Sequence, residues 1–118
     1  MPAKLTNEYG DINIEDGVIS SIAGIAAMEC YGLVGMASKG GTDGLVELLR
    51  RENLSKGVKV QTEGERIVID LYVIIQFGIS ISTVATNIIE KVKYAVEKAT
   101  GLSVEKVNVN VQGVRVQK

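Results

Sequence analysis

The stretch that decides the fold is residues 66–77, RIVIDLYVIIQF. Its odd-numbered positions are all apolar, whereas its even-numbered positions mix apolar and polar side chains. Because successive side chains of a β-strand point to opposite faces of a sheet, this alternation predicts a long central strand with one face against a core. The residues expected on the core face are Ile67, Ile69, Leu71, Val73, Ile75 and Phe77.

The composition limits the class of protein. The chain has 118 residues, of which 46% are hydrophobic and 23% are charged, so we expect a single domain, residues 1–118, around one core. The net charge of −1 gives no overall attraction to nucleic acid or anionic lipid. The single cysteine, Cys30, excludes an internal disulfide and favours a reducing compartment. We therefore predict a cytoplasmic protein with no nucleic-acid partner.

No segment predicts secretion or membrane insertion. The N-terminal residues lack the apolar run of a secretory signal. The longest apolar stretch, residues 22–37, contains Glu29 and is shorter than the roughly 20 apolar residues of a membrane span. Any membrane association is therefore expected to be peripheral or through a partner.

The residues before the central strand predict a strand, two helices and a hairpin. Residues 10–14 alternate as a short strand, expected to join the central sheet. Asp16 is placed to cap an amphipathic helix that ends before Gly32, and Gly24 within it indicates close packing. Its apolar positions are Val18, Ile19, Ile22, Ile25, Ala26 and Cys30.

Residues 32–44 hold five glycines and predict a tight or mobile connection, with a short helix at residues 43–51. Residues 58–61 then pair with the central strand through a turn at residues 63–65.

A long helix and a final strand complete the predicted order. Ser80 or Ser82 caps the helix and Gly101 ends it. The residues predicted on its apolar face are Ile81, Val84, Ala85, Ile88, Val92, Ala95, Val96 and Ala99. In the final strand the apolar alternation changes parity at Gly113, which predicts a β-bulge at or next to this residue. The fold class is therefore α+β, a two-layer sandwich of strand-helix-helix-strand-strand-helix-strand order, with a mixed four-stranded sheet covered on one face by two main helices and one short helix.

No constellation of residues predicts catalysis, a cofactor or a metal. Histidine is absent, which removes the usual general base and most zinc sites. Asp70 interrupts the apolar strand and could be a shifted acid beside Tyr72, but pairing with Lys59 or Lys106 is favoured. Cys30 is more often a small buried hydrophobe than a nucleophile in such a setting. We therefore predict that the protein is not an enzyme.

The glycine-rich segment raises an alternative function. Residues 41–44, GTDG, match the G-x-x-G loop of KH domains, and the order of elements around them is KH-like. However, Asp43 offers a carboxylate where RNA phosphate favours a cation. A plain turn is the favoured interpretation, and a KH-like RNA-binding module is the alternative.

Four segments together resemble the alkaline shock proteins, or envelope stress response proteins, of Gram-positive bacteria. They are GDINI at residues 10–14, VISSIA at 18–23, YGLVGM at 31–36 and VNVNVQGV at 107–114. The similarity covers nearly the whole chain and is strongest to the short, YloU-like branch. The resemblance implies a non-enzymatic cytoplasmic protein of cell-envelope homeostasis, recruited to the inner face of the membrane by a membrane-anchored partner.

A surface for protein contacts is also predicted. The final strand is largely uncharged, so as a sheet edge it would favour a homo-oligomer or strand addition by a partner peptide. The alternative is that the N-terminal residues or another strand cover this edge. The residues expected to make contacts on this strand and on the exposed face of the central strand are Tyr72, Ile74, Gln76, Asn108, Asn110 and Gln112.

Overall fold

The computed structural model of the protein describes residues 3–37, 51–63 and 65–116. It confirms the α+β class. The elements are β1 (Ala3–Asn7), β2 (Gly10–Ile14), α1 (Asp16–Met28), β3 (Leu33–Met36), a 3₁₀ helix (Arg51–Gly57), β4 (Val58–Glu63), β5 (Arg66–Gln76), α2 (Ile81–Thr100) and β6 (Ser103–Arg115). The short helix predicted at residues 43–51 lies outside the described residues, apart from its last position.

The main sheet is built around β5, as the alternation predicts. β6 runs parallel to β5 and pairs with it from end to end, whereas β4 and β3 are antiparallel to it. β4 pairs with the first half of β5 and β3 with the second half, from Val73 to Ile75. Because one side of β5 is occupied by β6, β4 and β3 lie end to end along the other side. The four strands therefore form a mixed sheet.

The core lies between the helices and one face of this sheet. Five alternate residues of β5 are buried there: Ile67, Ile69, Leu71, Val73 and Ile75. Opposite them, α2 buries residues spaced four apart: Val84, Ile88, Val92 and Val96. Each such side chain contributes roughly 1.5–3 kcal/mol when it leaves water. The 3₁₀ helix adds Leu54 to the same core, beside α1.

One predicted core residue of the central strand is not buried. Phe77 is 68% exposed. β5 ends at Gln76, and the chain then turns at Gly78, whose φ of +92° is left-handed. The alternation of faces holds only within the strand, so it does not extend to Phe77.

α1 buries Ile19 and otherwise only small residues. Its buried positions are Ile19, Ser20, Ala23, Gly24, Ala26 and Ala27, whereas Val18 and Ile25 are exposed. Close packing at Gly24 is confirmed, because a Cβ atom there would lie 3.2 Å from the Cβ atom of Leu54. The N-cap is Glu15 and not Asp16, which is the first helical residue.

The first strand of the prediction, β2, does not join the central sheet. It forms a separate two-stranded hairpin with β1, from Ala3↔Ile14 to Asn7↔Gly10. Asp11 ties the two strands together: it accepts a hydrogen bond from the Thr6 hydroxyl (2.9 Å) and lies 3.4 Å from Lys4 Nζ. The Thr6 hydrogen bond and the Lys4 charge hold the pKa of Asp11 below its usual value. β2 therefore pairs with its neighbour in sequence, β1, and not with a strand of the central sheet.

Part of the glycine-rich segment is a strand and not a connection. β3 pairs with β5, and two backbone hydrogen bonds extend the pairing: Gln76 N–H donates to Gly32 O and Ala37 N–H to Tyr72 O, both at 2.8 Å. The pairing explains why a segment with little strand propensity is extended. The remainder of the segment, from residue 38 to 44, lies outside the described residues.

The ends of α2 and the second of two register shifts between β5 and β6 agree with the prediction, whereas the first shift, between Val104 and Lys106, was not predicted. The Ser80 hydroxyl accepts a hydrogen bond from Thr83 N–H, and Gly101 ends the helix with a left-handed φ of +79°. The predicted bulge is confirmed, because Val111 pairs with Val73 while Gly113 pairs with the next residue of β5. The pattern nevertheless overestimates burial beyond the bulge, since the side chains of Val114 and Val116 are exposed.

Candidate interaction surfaces

The first surface is the face of the sheet away from the helices. The register aligns Asp70 with Asn108 and Tyr72 with Asn110 on neighbouring strands β5 and β6. Asn108 is exposed, and Tyr72, Gln76, Asn110 and Gln112 are half-buried. The structure therefore brings five of the six predicted contact residues onto two paired strands with part of each side chain accessible.

Ile74, the sixth predicted contact residue, is fully buried. Its neighbours in register are Gly35 of β3 and Gly113 of β6. The expectation that Ile74 is exposed is therefore wrong, and this side chain does not contribute to the accessible surface.

The side chain of Asp70 on this surface is hydrogen-bonded to an amide and is not paired with a lysine. The Asn108 side-chain amide donates a hydrogen bond of 2.7 Å to Asp70 Oδ1. The predicted pairing with Lys59 or Lys106 is not found among the ion pairs of the described residues. The Asn110 amide donates to the Leu71 carbonyl at 3.2 Å, so both asparagines are held by β5. These bonds fix the side chains as a preformed polar surface.

The outer edge of β6 is the second feature of this side of the molecule. Within the described ranges β6 pairs only with β5. The N-terminal residues do not cover it by pairing, because β1 pairs with β2. An edge strand presents backbone N–H and C=O groups to solvent, and these groups can accept another strand. β6 can therefore form backbone hydrogen bonds with a further chain.

The second surface, which we call the helix groove, lies between α1 and α2 and has a volume of about 630 Å³. Its lining is mostly apolar, from Ile22, Ile25 and Ala26 of α1 and Tyr94, Ala95 and Ala99 of α2. Ile25 is 57% exposed and Tyr94 is 64% exposed. The sequence does not predict this groove, because Ile25 belongs to the apolar face that the helical spacing of α1 indicates. Only Tyr94 could be recognised from the pattern, since it lies off the predicted apolar face of α2, whereas the exposure of Ile25 depends on how α1 packs.

Three charged residues flank the helix groove. Lys91 Nζ lies 3.1 Å from Glu29 Oε1, which links the two helices across the groove. Lys98 Nζ lies 5.5 Å from the centre of the Tyr94 ring, within the range of a cation–π contact. The helix groove thus combines an apolar lining with a net positive charge.

The described part of the chain holds no group of three or more Cys, Asp or Glu residues that could bind a metal ion. The KH-like loop, residues 41–44, lies outside the described residues. Cys30 is half-buried, and its thiol is 3.8 Å from the Ala26 carbonyl, to which it donates. Burial raises the pKa of the Cys30 thiol above its usual value. That shift disfavours the nucleophilic thiolate at neutral pH.

We expect Cys30 to react slowly with iodoacetamide near neutral pH. Its alkylation rate should rise with pH through a midpoint above that of free cysteine, because burial raises the pKa of the thiol. Rates measured between pH 7 and 11 on folded protein, with urea-unfolded protein as the control, check this. A midpoint equal to or below that of the unfolded chain would contradict it.

No helix among the described residues is both long enough and apolar enough to cross a bilayer.

Comparison with known proteins identifies close relatives. The chain is 54% identical over 117 residues to the uncharacterized protein YloU of Bacillus subtilis (strain 168), with 98% of each chain covered. It is 41% identical over 117 residues to the uncharacterized protein Spy1614 of Streptococcus pyogenes serotype M6, covering 98% of this chain and 97% of the relative. A more distant relative is a stress response regulator gls24 homolog of Streptococcus pyogenes serotype M3, 26% identical over 108 residues, with 92% of this chain and 60% of the relative covered.

Solved structures of the MamM CTD share 16% sequence identity with the chain at a TM-score of 0.49, covering 81% of this chain and 92% of the other. That likeness is too low for a functional comparison. By contrast, the family model of alkaline shock protein 23, described as having a cell envelope-related function, matches residues 4–116. The resemblance noted in the sequence is thereby confirmed, and the chain belongs to the alkaline shock protein 23 family.

Proposed function

We propose that this protein is a non-enzymatic interaction module of cell-envelope homeostasis, acting in the cytoplasm at the inner face of the membrane. Membership of an envelope-related family supports the cellular role. The single observation that carries the molecular role is the outer edge of β6, which has no strand partner among the described residues. A membrane-anchored protein that adds a strand to this edge would recruit the module to the membrane.

β6 suits strand addition better than β4, which also pairs only with β5 in the described part of the fold. β4 has six residues and carries Lys59 and Glu63, and such short, charged edges discourage docking. β6 has thirteen residues and includes an uncharged run, VNVNVQGV, at residues 107–114. The bulge, at which Gln112 has no partner on β5, ends the regular part of the edge, so the expected docking segment is residues 107–111 with Gln112 directly at its end.

The same edge supports self-association. Two copies related by a two-fold axis can pair their β6 strands and extend two sheets into one. Asn108, Asn110 and Gln112 are uncharged, so two such strands meet without like-charge repulsion at these positions. We therefore propose a homo-oligomer joined through β6, with strand addition by another protein as the competing use of the edge.

Light scattering over a wide range of protein concentration tests this proposal. The double variant Asn108→Lys/Gln112→Lys places two lysines on β6, and we expect it to weaken self-association by about tenfold or more because charged residues oppose edge pairing. Gln61→Lys is the control at the other edge of the sheet: it adds one lysine on β4, half the added charge of the double variant. A strictly monomeric native protein, or equal weakening by the control, would count against the proposal.

A further inference from the structure

We propose that the helix groove binds an amphipathic α-helix of a partner protein, with carboxylates along one side of its apolar face. This proposal rests on the shape and charge of the groove itself. It does not depend on strand pairing at β6, which belongs to the sheet and not to the helical layer.

The shape of the groove favours a rod-like apolar occupant. Two neighbouring helices form its walls, and its volume is about 630 Å³. Ile25 and Tyr94 leave more than half of their surfaces in water, although both line an apolar depression. Exposed apolar surface that is continuous and concave is typical of sites that bind proteins or ligands. An amphipathic helix that lays its apolar face into such a groove would cover both side chains.

The positions of the lysines indicate the charge of the occupant. Lys91 and Lys98 are seven residues apart on α2, which places them two turns apart on one side of the helix, about 10.5 Å along its axis. Lys98 has no ion-pair partner among the described carboxylates, and the Lys91–Glu29 pair is exposed, so it can exchange at small cost. Two lysines against one glutamate leave a net charge of +1 beside the apolar lining. Carboxylates at positions i and i+7 of a docked helix would therefore meet both lysines.

Other occupants fit these features less well. A bilayer is flat and would leave a depression between two helices unfilled. A second copy that presents the same groove is also concave and carries the same net positive charge, so the two grooves are complementary in neither shape nor charge. A helical partner with acidic residues satisfies both requirements.

The probe for this test is a fluorescein-labelled helical peptide of roughly 18 residues, or five turns, with leucines on one face and two glutamates seven residues apart beside them. Fluorescence anisotropy with the full chain should give saturable binding. We expect Ile25→Asp and Lys98→Glu each to weaken binding by tenfold or more. Lys93→Glu should have little effect, because it makes the same charge change on α2 outside the groove. All variants are checked by circular dichroism, and Ile25 and Lys98 are exposed, so the fold should be retained.

A charge swap separates specific docking from general apolar adhesion. A second peptide with lysines in place of the two glutamates should bind Lys98→Glu more tightly than it binds the native protein. The β6 variant Asn108→Lys/Gln112→Lys should bind the first peptide as the native chain does, which keeps this result distinct from the oligomer test. The proposal is overturned if no saturable binding occurs up to about 1 mM peptide, a bound that corresponds to roughly 4 kcal/mol. Two other results would also overturn it, if peptide binding is unaffected by Ile25→Asp and Lys98→Glu. One is that these variants weaken binding to phosphatidylglycerol vesicles, and the other is that they weaken self-association of the chain.

Discussion

Replacing Gly32 by alanine is expected to lower the free energy of unfolding by about 2–5 kcal/mol, combining left-handed strain of about 1–2 kcal/mol with overpacking of about 1–3 kcal/mol. Gly32 has a φ of +91°, a conformation that side chains disfavour. An added Cβ atom would also lie 2.4 Å from Ile79 Cδ1 and 2.8 Å from Val84 Cγ2. The end of Ile79 can rotate away, but Val84 is buried and branched, so it has little room to move.

Gly78 provides a matched control. Its φ of +92° is almost the same as that of Gly32, but an added Cβ atom would meet no atom within 4 Å. Gly78→Ala should therefore cost only the left-handed strain, about 1–2 kcal/mol. Urea titrations followed by circular dichroism give both values, and their difference isolates the contact with Val84. Equal losses in the two variants would contradict the close approach of Gly32 to α2.

Close approach at Gly32 also explains the placement of β3. The Gly32 carbonyl accepts a hydrogen bond from Gln76 N–H, so the same residue contacts α2 and begins the pairing with β5. A sequence pattern shows the glycine but not the two long-range contacts that require it. For this reason the glycines of residues 32–44 predict a connection, although residues 33–36 are a strand.

The elements that could be predicted are those specified by local patterns. β5 and α2 are long and periodic, and the ends of α2 carry Ser80 and Gly101, whose preferences for caps are strong. The bulge in β6 could be predicted because one extra residue, which the register shows to be Gln112 beside Gly113, is what keeps the valines on both sides of it on the same face. The pairing of β2 with β1 could not, because a short alternating strand carries no information about its neighbour.

Of the two interaction surfaces, the sheet surface could largely be predicted from local pattern and the helix groove could not. The alternation of β5 and β6 placed five of the six predicted residues on partly accessible positions, because strand periodicity is a local property. Ile74 has that same periodicity and is nevertheless buried, since burial depends on what the rest of the chain brings over a strand. The helix groove could not be predicted, because its shape depends on how α1 packs beside α2. Small residues in α1 face the core, which leaves Ile25 outside.

Ile75→Ala and Phe77→Ala should have very different effects on stability, although both residues belong to one apolar alternation. Ile75 is fully buried, and its truncation should lower the free energy of unfolding by about 2–5 kcal/mol through lost contacts and a cavity. Phe77 is 68% exposed, so its truncation should cost less than about 1 kcal/mol. Its backbone hydrogen bond, donated to the Arg115 carbonyl at 2.8 Å, is unaffected by the change of side chain.

Urea denaturation of both variants under the same conditions measures this contrast. The slope of the free energy against urea should be unchanged, which indicates that the unfolding transition exposes the same surface in each variant. If Phe77→Ala is as destabilising as Ile75→Ala, the core continues past Gln76 as the simple alternation implies. If only Ile75→Ala is destabilising, the buried face ends with β5, and Phe77 remains an exposed aromatic residue beside the end of β6, where Arg115 accepts its backbone hydrogen bond.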